Sequence, residues 1–227
     1  MHYLQNLFHS LDYSSMGQMA LRVAAVLLCL TVHETCHGLM AYALGDPTAK
    51  RMHRLSLNPL RHIDWFGLLL MILCGFGWAK PVPVDPRYFR KPKQGMALTA
   101  LAGPASNFLL ALALILAGKA VYAYADPTQA AVSLFSFLLT TAVLSTGLGL
   151  FNLIPIPPLD GSKVLAAALP DQAYWKLMHY ERYGMLLLIL LSLTNVGGGA
   201  VSSAIQAVFH GLCLLCGAPE FYQMFYA

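Results

Sequence analysis

Charge is what this sequence has least of. Asp, Glu, Lys and Arg make up only 11% of its 227 residues, while 58% are hydrophobic. Soluble globular domains carry roughly a quarter charged residues, so this composition reads as a polytopic membrane protein. No Lys or Arg precedes Arg22 and the first apolar run comes late, so no cleavable signal peptide is expected. The chain also lacks an internal repeat, a low-complexity tract and a glycine-rich phosphate loop. Cysteine is sparse: Cys29, Cys36, Cys74, Cys213 and Cys216 all sit in apolar surroundings. Cys213-x-x-Cys216 has no second pair to complete a structural metal site, so these side chains read as small hydrophobes.

The few charges are unevenly placed. Nine of the fourteen Lys and Arg residues are Lys50, Arg51, Arg54, Arg61, Lys80, Arg87, Arg90, Lys91 and Lys93. Basic residues in short loops mark the cytoplasmic side of a membrane, so this block is a topology signal and nucleic acid is not an expected partner.

Residues 28–46, LCLTVHETCHGLMAYALGD, stand out against that background. His33 and His37 are four apart and share one helical face, and Glu34 follows the first. This is the H-E-x-x-H spacing of zinc hydrolases, in which the glutamate serves as general base. It lies inside an apolar run where a membrane helix is expected.

Spans are expected over residues 17–44, 95–119 and 130–154, each near or above the ~20 residues needed to cross. Residues 183–216, broken by TNVGGG at 194–199, read as a hairpin of two more. Residues 171–182 read as a polar connector, and 160–169 as a short helix for which Asp160 could be the N-cap. Residues 48–58 suit a short strand or hairpin at the membrane surface. Residues 64–77 are apolar but short, so they are either a re-entrant helix or a thin span. Residues 80–86, KPVPVDP, are extended by their prolines: either a linker, or an edge on which Val82 and Val84 keep their amides and an unwound segment could pair. The fold class is therefore an all-α polytopic membrane protein. It has about five to six transmembrane helices, a short re-entrant helix and small membrane-associated β-strands. It forms one domain over residues 1–227, with a catalytic core at about 17–165 and a C-terminal hairpin at about 183–217.

Two histidines make an incomplete site, because catalytic zinc typically takes three protein ligands and leaves a fourth position open. A carboxylate inside a membrane protein is a functional candidate by default. Asp160, at the cytoplasmic end of a span that can pack on the first, is the best placed. Asn107, a polar group within a span, needs a partner, and an interhelical hydrogen bond would satisfy it.

Three motifs occur in order: HETCH at 33–37, GPASN at 103–107 and NLIPIPPLDG at 152–161. Between them lie ALGDPTAK at 43–50, LSLNPLRHID at 55–64 and GFGWAKPVPV at 75–84. Together these resemble the site-2 protease family of intramembrane zinc metalloproteases, in a compact form without PDZ or CBS domains. The resemblance implies one Zn2+ per chain, held by His33, His37 and Asp160, with Glu34 activating water. It implies that Asn152 and Asn107 orient the substrate carbonyl or stabilise the oxyanion. Expected partners are the lipid bilayer and a single-span protein substrate, whose transmembrane segment is cut in regulated intramembrane proteolysis. The expected location is a bacterial or archaeal plasma membrane, with the active site towards the cytoplasm. A zinc-binding transporter or a catalytically silent scaffold would use the same ligands, but a transporter has no need of Glu34.

Overall fold

The computed structural model describes residues 16–67, 79–194 and 198–226. The helices are α1 (Met16–Ala43), α2 (Thr48–Arg51), α3 (Pro92–Tyr124), α4 (Gln129–Asn152), α5 (Asp160–Ala168), α6 (Asp171–Thr194), α7 (Gly198–Leu215) and α8 (Glu220–Tyr226). Among the described residues, four helical stretches are long and apolar enough to cross a membrane: Ala20–Ala43, Pro92–Tyr124, Gln129–Asn152 and Gly198–Leu215. The first three fall on the spans expected from sequence, and Gly198–Leu215 is the second arm of the expected hairpin.

Long α3 is the hub, and α1, α4, α5 and α7 all pack against it. Away from the histidines, Ala111, Leu114 and Ile115 of α3 meet Phe135 and Leu139 of α4, Phe209 and Cys213 of α7, and Phe221 of α8. Phe135 and Phe221 meet edge to face, their ring centroids 5.0 Å apart. Lys119 of α3 donates to the carbonyls of Cys216 and Gly217, both at 2.9 Å, and so closes the end of α7.

The chain leaves α1 through a paired turn. Gly45 takes a φ of +105°, its amide donates to Tyr42 O, and the Asp46 amide reaches back to Ala41 O. Only glycine adopts that backbone without strain, and the two bonds satisfy carbonyls the helix end leaves open.

Two expectations need correction. Residues 48–58 are not a strand or hairpin. Buried Asp46 accepts from the Thr48 amide at 2.9 Å, and the helix α2 forms where a strand was expected. Beyond α2, His53 turns with φ +53° and the chain lies back on α1, where Thr35 Oγ1 donates to Ser56 O at 3.0 Å. Among the described residues β pairing reduces to one isolated bridge, Ile63 with Ala79. Residues 171–182 are not a separate connector, because they continue as one helix into residues 183–194. Of the expected re-entrant segment at 64–77, residues 68–78 lie outside the described residues.

Candidate metal centre

α1 places His33 and His37 on the face turned towards α3, and α5 brings Asp160 up to them. All three side chains are buried. His33 Nε2 lies 3.0 Å from His37 Nε2, and Asp160 Oδ2 is 3.1 Å from each. The donors thus form a nearly equilateral triangle. Tetrahedral zinc at about 2.0 Å from its ligands spaces them about 3.3 Å apart, so the triangle has the dimensions of a zinc face.

Protonation supports the same reading. His37 Nδ1 donates to the carbonyl of Thr99 at 2.7 Å, and His33 Nδ1 lies 3.1 Å from Asn107 Oδ1. The Asn107 amide nitrogen donates to Ser145 O at 3.4 Å, which leaves its oxygen for His33. With the Nδ1 protons committed to oxygens, both Nε2 lone pairs point at each other and at a carboxylate. Three lone-pair donors at 3 Å repel one another unless a cation sits among them.

The backbone supporting these ligands is close-packed. A Cβ on Gly103 would lie 2.5 Å from His37 Cε1 and 2.6 Å from His33 Cε1, so only glycine lets α3 pass the imidazole pair. Thr99, Gly103 and Asn107 lie four apart on one face of α3 and form the platform on which both rings rest. A Cβ on Gly161 would lie 2.2 Å from Leu153 O, so the residue after Asp160 must also be glycine for α5 to start there. Asp160 is not the N-cap: Leu159 holds that position, and Asp160, the first helical residue, is free to face the histidines. Lys163 Nζ stands 3.9 Å from the other Asp160 oxygen.

Glu34 is one residue from His33, and its Oε2 accepts a hydrogen bond from the Val82 amide at 2.8 Å. Residues 80–85 thus run across the helix turn that carries the carboxylate. Val82 packs beside Gly38, where an added Cβ would lie 3.1 Å from Val82 Cγ1.

Residues 21–191 match Peptidase family M50. YwhC of Bacillus subtilis (strain 168), named as a zinc metalloprotease, is 38% identical over 187 residues, or 82% of this chain and 85% of YwhC. The chain belongs to peptidase family M50. Rip2 of Mycolicibacterium smegmatis, also named as a zinc metalloprotease, is 28% identical over 190 residues, 80% of this chain and 70% of Rip2. Rip2 of Mycobacterium tuberculosis H37Rv is 27% identical over 192 residues, 81% and 70% of the two chains. No solved structure matches. As an M50 member the chain is a multi-pass zinc metalloprotease of the site-2 protease family, as its motifs imply.

Not every M50 motif residue reaches the trio. Asn107 meets His33 through its Oδ1 and Ser145 O through its amide, the interhelical bonding expected of a polar group within a span. The Asn152 amide donates to Leu148 O at 2.9 Å, one turn back in its own helix. The Val82 amide is taken by Glu34, whereas the Val84 amide has no hydrogen-bond partner among the described residues. The Thr99 carbonyl was missed from sequence, because a backbone acceptor carries no residue signature. The four-residue step from Asn107 back to Gly103 and Thr99 was the available signal.

Proposed function

We propose that this M50 protein is an intramembrane endopeptidase cutting the transmembrane segments of single-span membrane proteins in regulated intramembrane proteolysis. The observation that carries the reading is the position of the site: the H-E-x-x-H pair lies inside a helix apolar enough to cross a membrane, with Asp160 closing the ligand triangle. The assigned roles are His33, His37 and Asp160 as ligands and Glu34 as catalytic base. A zinc ion supplies Lewis acidity, which polarises a peptide carbonyl and makes water nucleophilic near neutral pH.

Glu34 takes the proton of the attacking water on its carboxylate and returns it to the leaving amine nitrogen. Asn107 holds His33 in the ligating tautomer. Asn152, whose amide rests on Leu148 O, is assigned to the developing oxyanion, which it can serve only by releasing that bond.

A helical substrate keeps its scissile carbonyl in its own hydrogen bonds and must unwind first. Residues 80–85 offer it a partner. With the Val82 amide on Glu34, pairing falls to the Val84 amide and the Val82 carbonyl, a narrower edge than the two amides expected from sequence. The basic block at 50–93 follows the end of α1 nearest the histidines, which supports a cytoplasmic-side site in a bacterial plasma membrane. α6 is the candidate for a span beyond the four.

The test is cleavage in zinc-loaded proteoliposomes of a panel of single-span proteins, with the cut mapped by mass spectrometry. Cuts within the transmembrane segment support the reading. Cuts confined to soluble tails would refute it.

A further inference from the structure

Residues 80–85 contain prolines at 81 and 83, so their backbone has few groups with which to anchor itself. The Lys80 amide donates to His62 O at 2.9 Å, and charged side chains supply further anchors. Arg54 Nη2 donates to Lys80 O at 2.7 Å and to Pro81 O at 3.3 Å. Asp46 Oδ2 accepts from the Asp85 amide at 2.7 Å, while its Oδ1 holds the Thr48 amide. Between these clamps the Val82 amide meets Glu34. Arg54 is almost entirely buried and Asp46 is fully buried, so neither exists for solvation. Ionised groups removed from water persist only where hydrogen bonds compensate them; those of Arg54 go to the carbonyls of Lys80 and Pro81, and Asp46 divides its own between Thr48 and the Asp85 amide.

We propose that Arg54 and Asp46 are positioning residues for proteolysis: they fix the register of residues 80–85 over Glu34, so that the Val84 amide and Val82 carbonyl meet the substrate backbone at one spacing. This rests on the protease reading above. Neither residue touches the ligand triangle. Arg54 grips carbonyls at one end and Asp46 an amide at the other, so the segment can neither slide along α1 nor lift from it. Loss of either clamp lets it drift, and the substrate strand is then presented at many offsets instead of one.

The experiment compares full-length wild type with Arg54→Gln, Asp46→Asn and Arg54→Lys in zinc-loaded proteoliposomes. It reads zinc content, kcat and KM on a cleaved single-span substrate, and amide hydrogen exchange over 80–85. That peptide holds only four exchanging amides, so the Val82 signal is not diluted. A charged hydrogen bond lost from a buried clamp changes such an equilibrium by about tenfold or more. Arg54→Gln and Asp46→Asn are expected to keep zinc, to exchange about tenfold faster over 80–85 and to raise KM by a similar factor, with kcat within about threefold. Arg54→Lys, which can still donate to one carbonyl, recovers part of the KM. A loss of zinc, a fall carried by kcat, or unchanged exchange in folded variants would each overturn the proposal. Wild type that cleaves no transmembrane segment would instead overturn the protease reading, and this proposal with it.

Discussion

Gly103 lies so close to His37 that a Cβ there would stand 2.5 Å from the ring carbon Cε1. The helix carrying the GPASN motif is thus in direct contact with the ligands on α1. Gly103→Ala must push α3 away or rotate both imidazoles. Zinc affinity is expected to fall about 10- to 100-fold, the usual scale for damage to ligand-orienting groups. Competition with a chelator measures it. Unchanged affinity would mean that the ligands are held from elsewhere.

Asn107 and its Ser145 partner form the next layer. Asn107→Ala leaves His33 Nδ1 without an acceptor and should weaken zinc binding about 10-fold or more, while Asn107→Asp keeps an acceptor and should lose less. The ordering Asp above Ala, read by zinc titration, is the prediction. The reverse order contradicts the tautomer assignment.

Asn152 tests whether the resting hydrogen bond to Leu148 O is exchanged during turnover. An oxyanion donor contributes about 10²- to 10³-fold in kcat. Asn152→Ala is therefore expected to lower kcat by that much while zinc stays bound. Near-wild-type turnover would show that the amide never leaves its own helix.

Gly161 faces the backbone of residue 153, so Gly161→Ala cannot be absorbed by a side-chain rotation. Overpacking of this kind typically costs about 1–3 kcal/mol. The expected outcome is a lower unfolding temperature together with lost zinc, since α5 carries Asp160. Differential scanning fluorimetry with and without zinc checks both.

Sequence made His33, Glu34 and His37 legible because a helix turns a four-residue spacing into a shared face. Asp160 was legible because a carboxylate at the end of a span needs a reason. The long apolar runs located α1, α3, α4 and α7 for the same physical cause, length against bilayer thickness. What stayed hidden was long-range or backbone-borne. The Thr99 carbonyl, the grip of Arg54 on Lys80 and Pro81, and the Val82–Glu34 bond join positions far apart in the chain. Residues 48–58 looked strand-like, whereas Thr48–Arg51 form a short helix whose first amide donates to buried Asp46. Residues 171–182 read as a connector because their polarity sets them apart from the apolar run after them, whereas a polar stretch can be one end of a helix whose other end is apolar.

The central claim is that Glu34 performs chemistry at a zinc site inside the membrane, and Glu34→Gln tests it most directly. Zinc content and cleavage of a single-span substrate are measured side by side for wild type and variant in proteoliposomes. The structure predicts full zinc occupancy, because His33, His37 and Asp160 are untouched, with cleavage lost by at least about 10²-fold. A zinc-replete Glu34→Gln protein that cuts the substrate at the wild-type rate would contradict it.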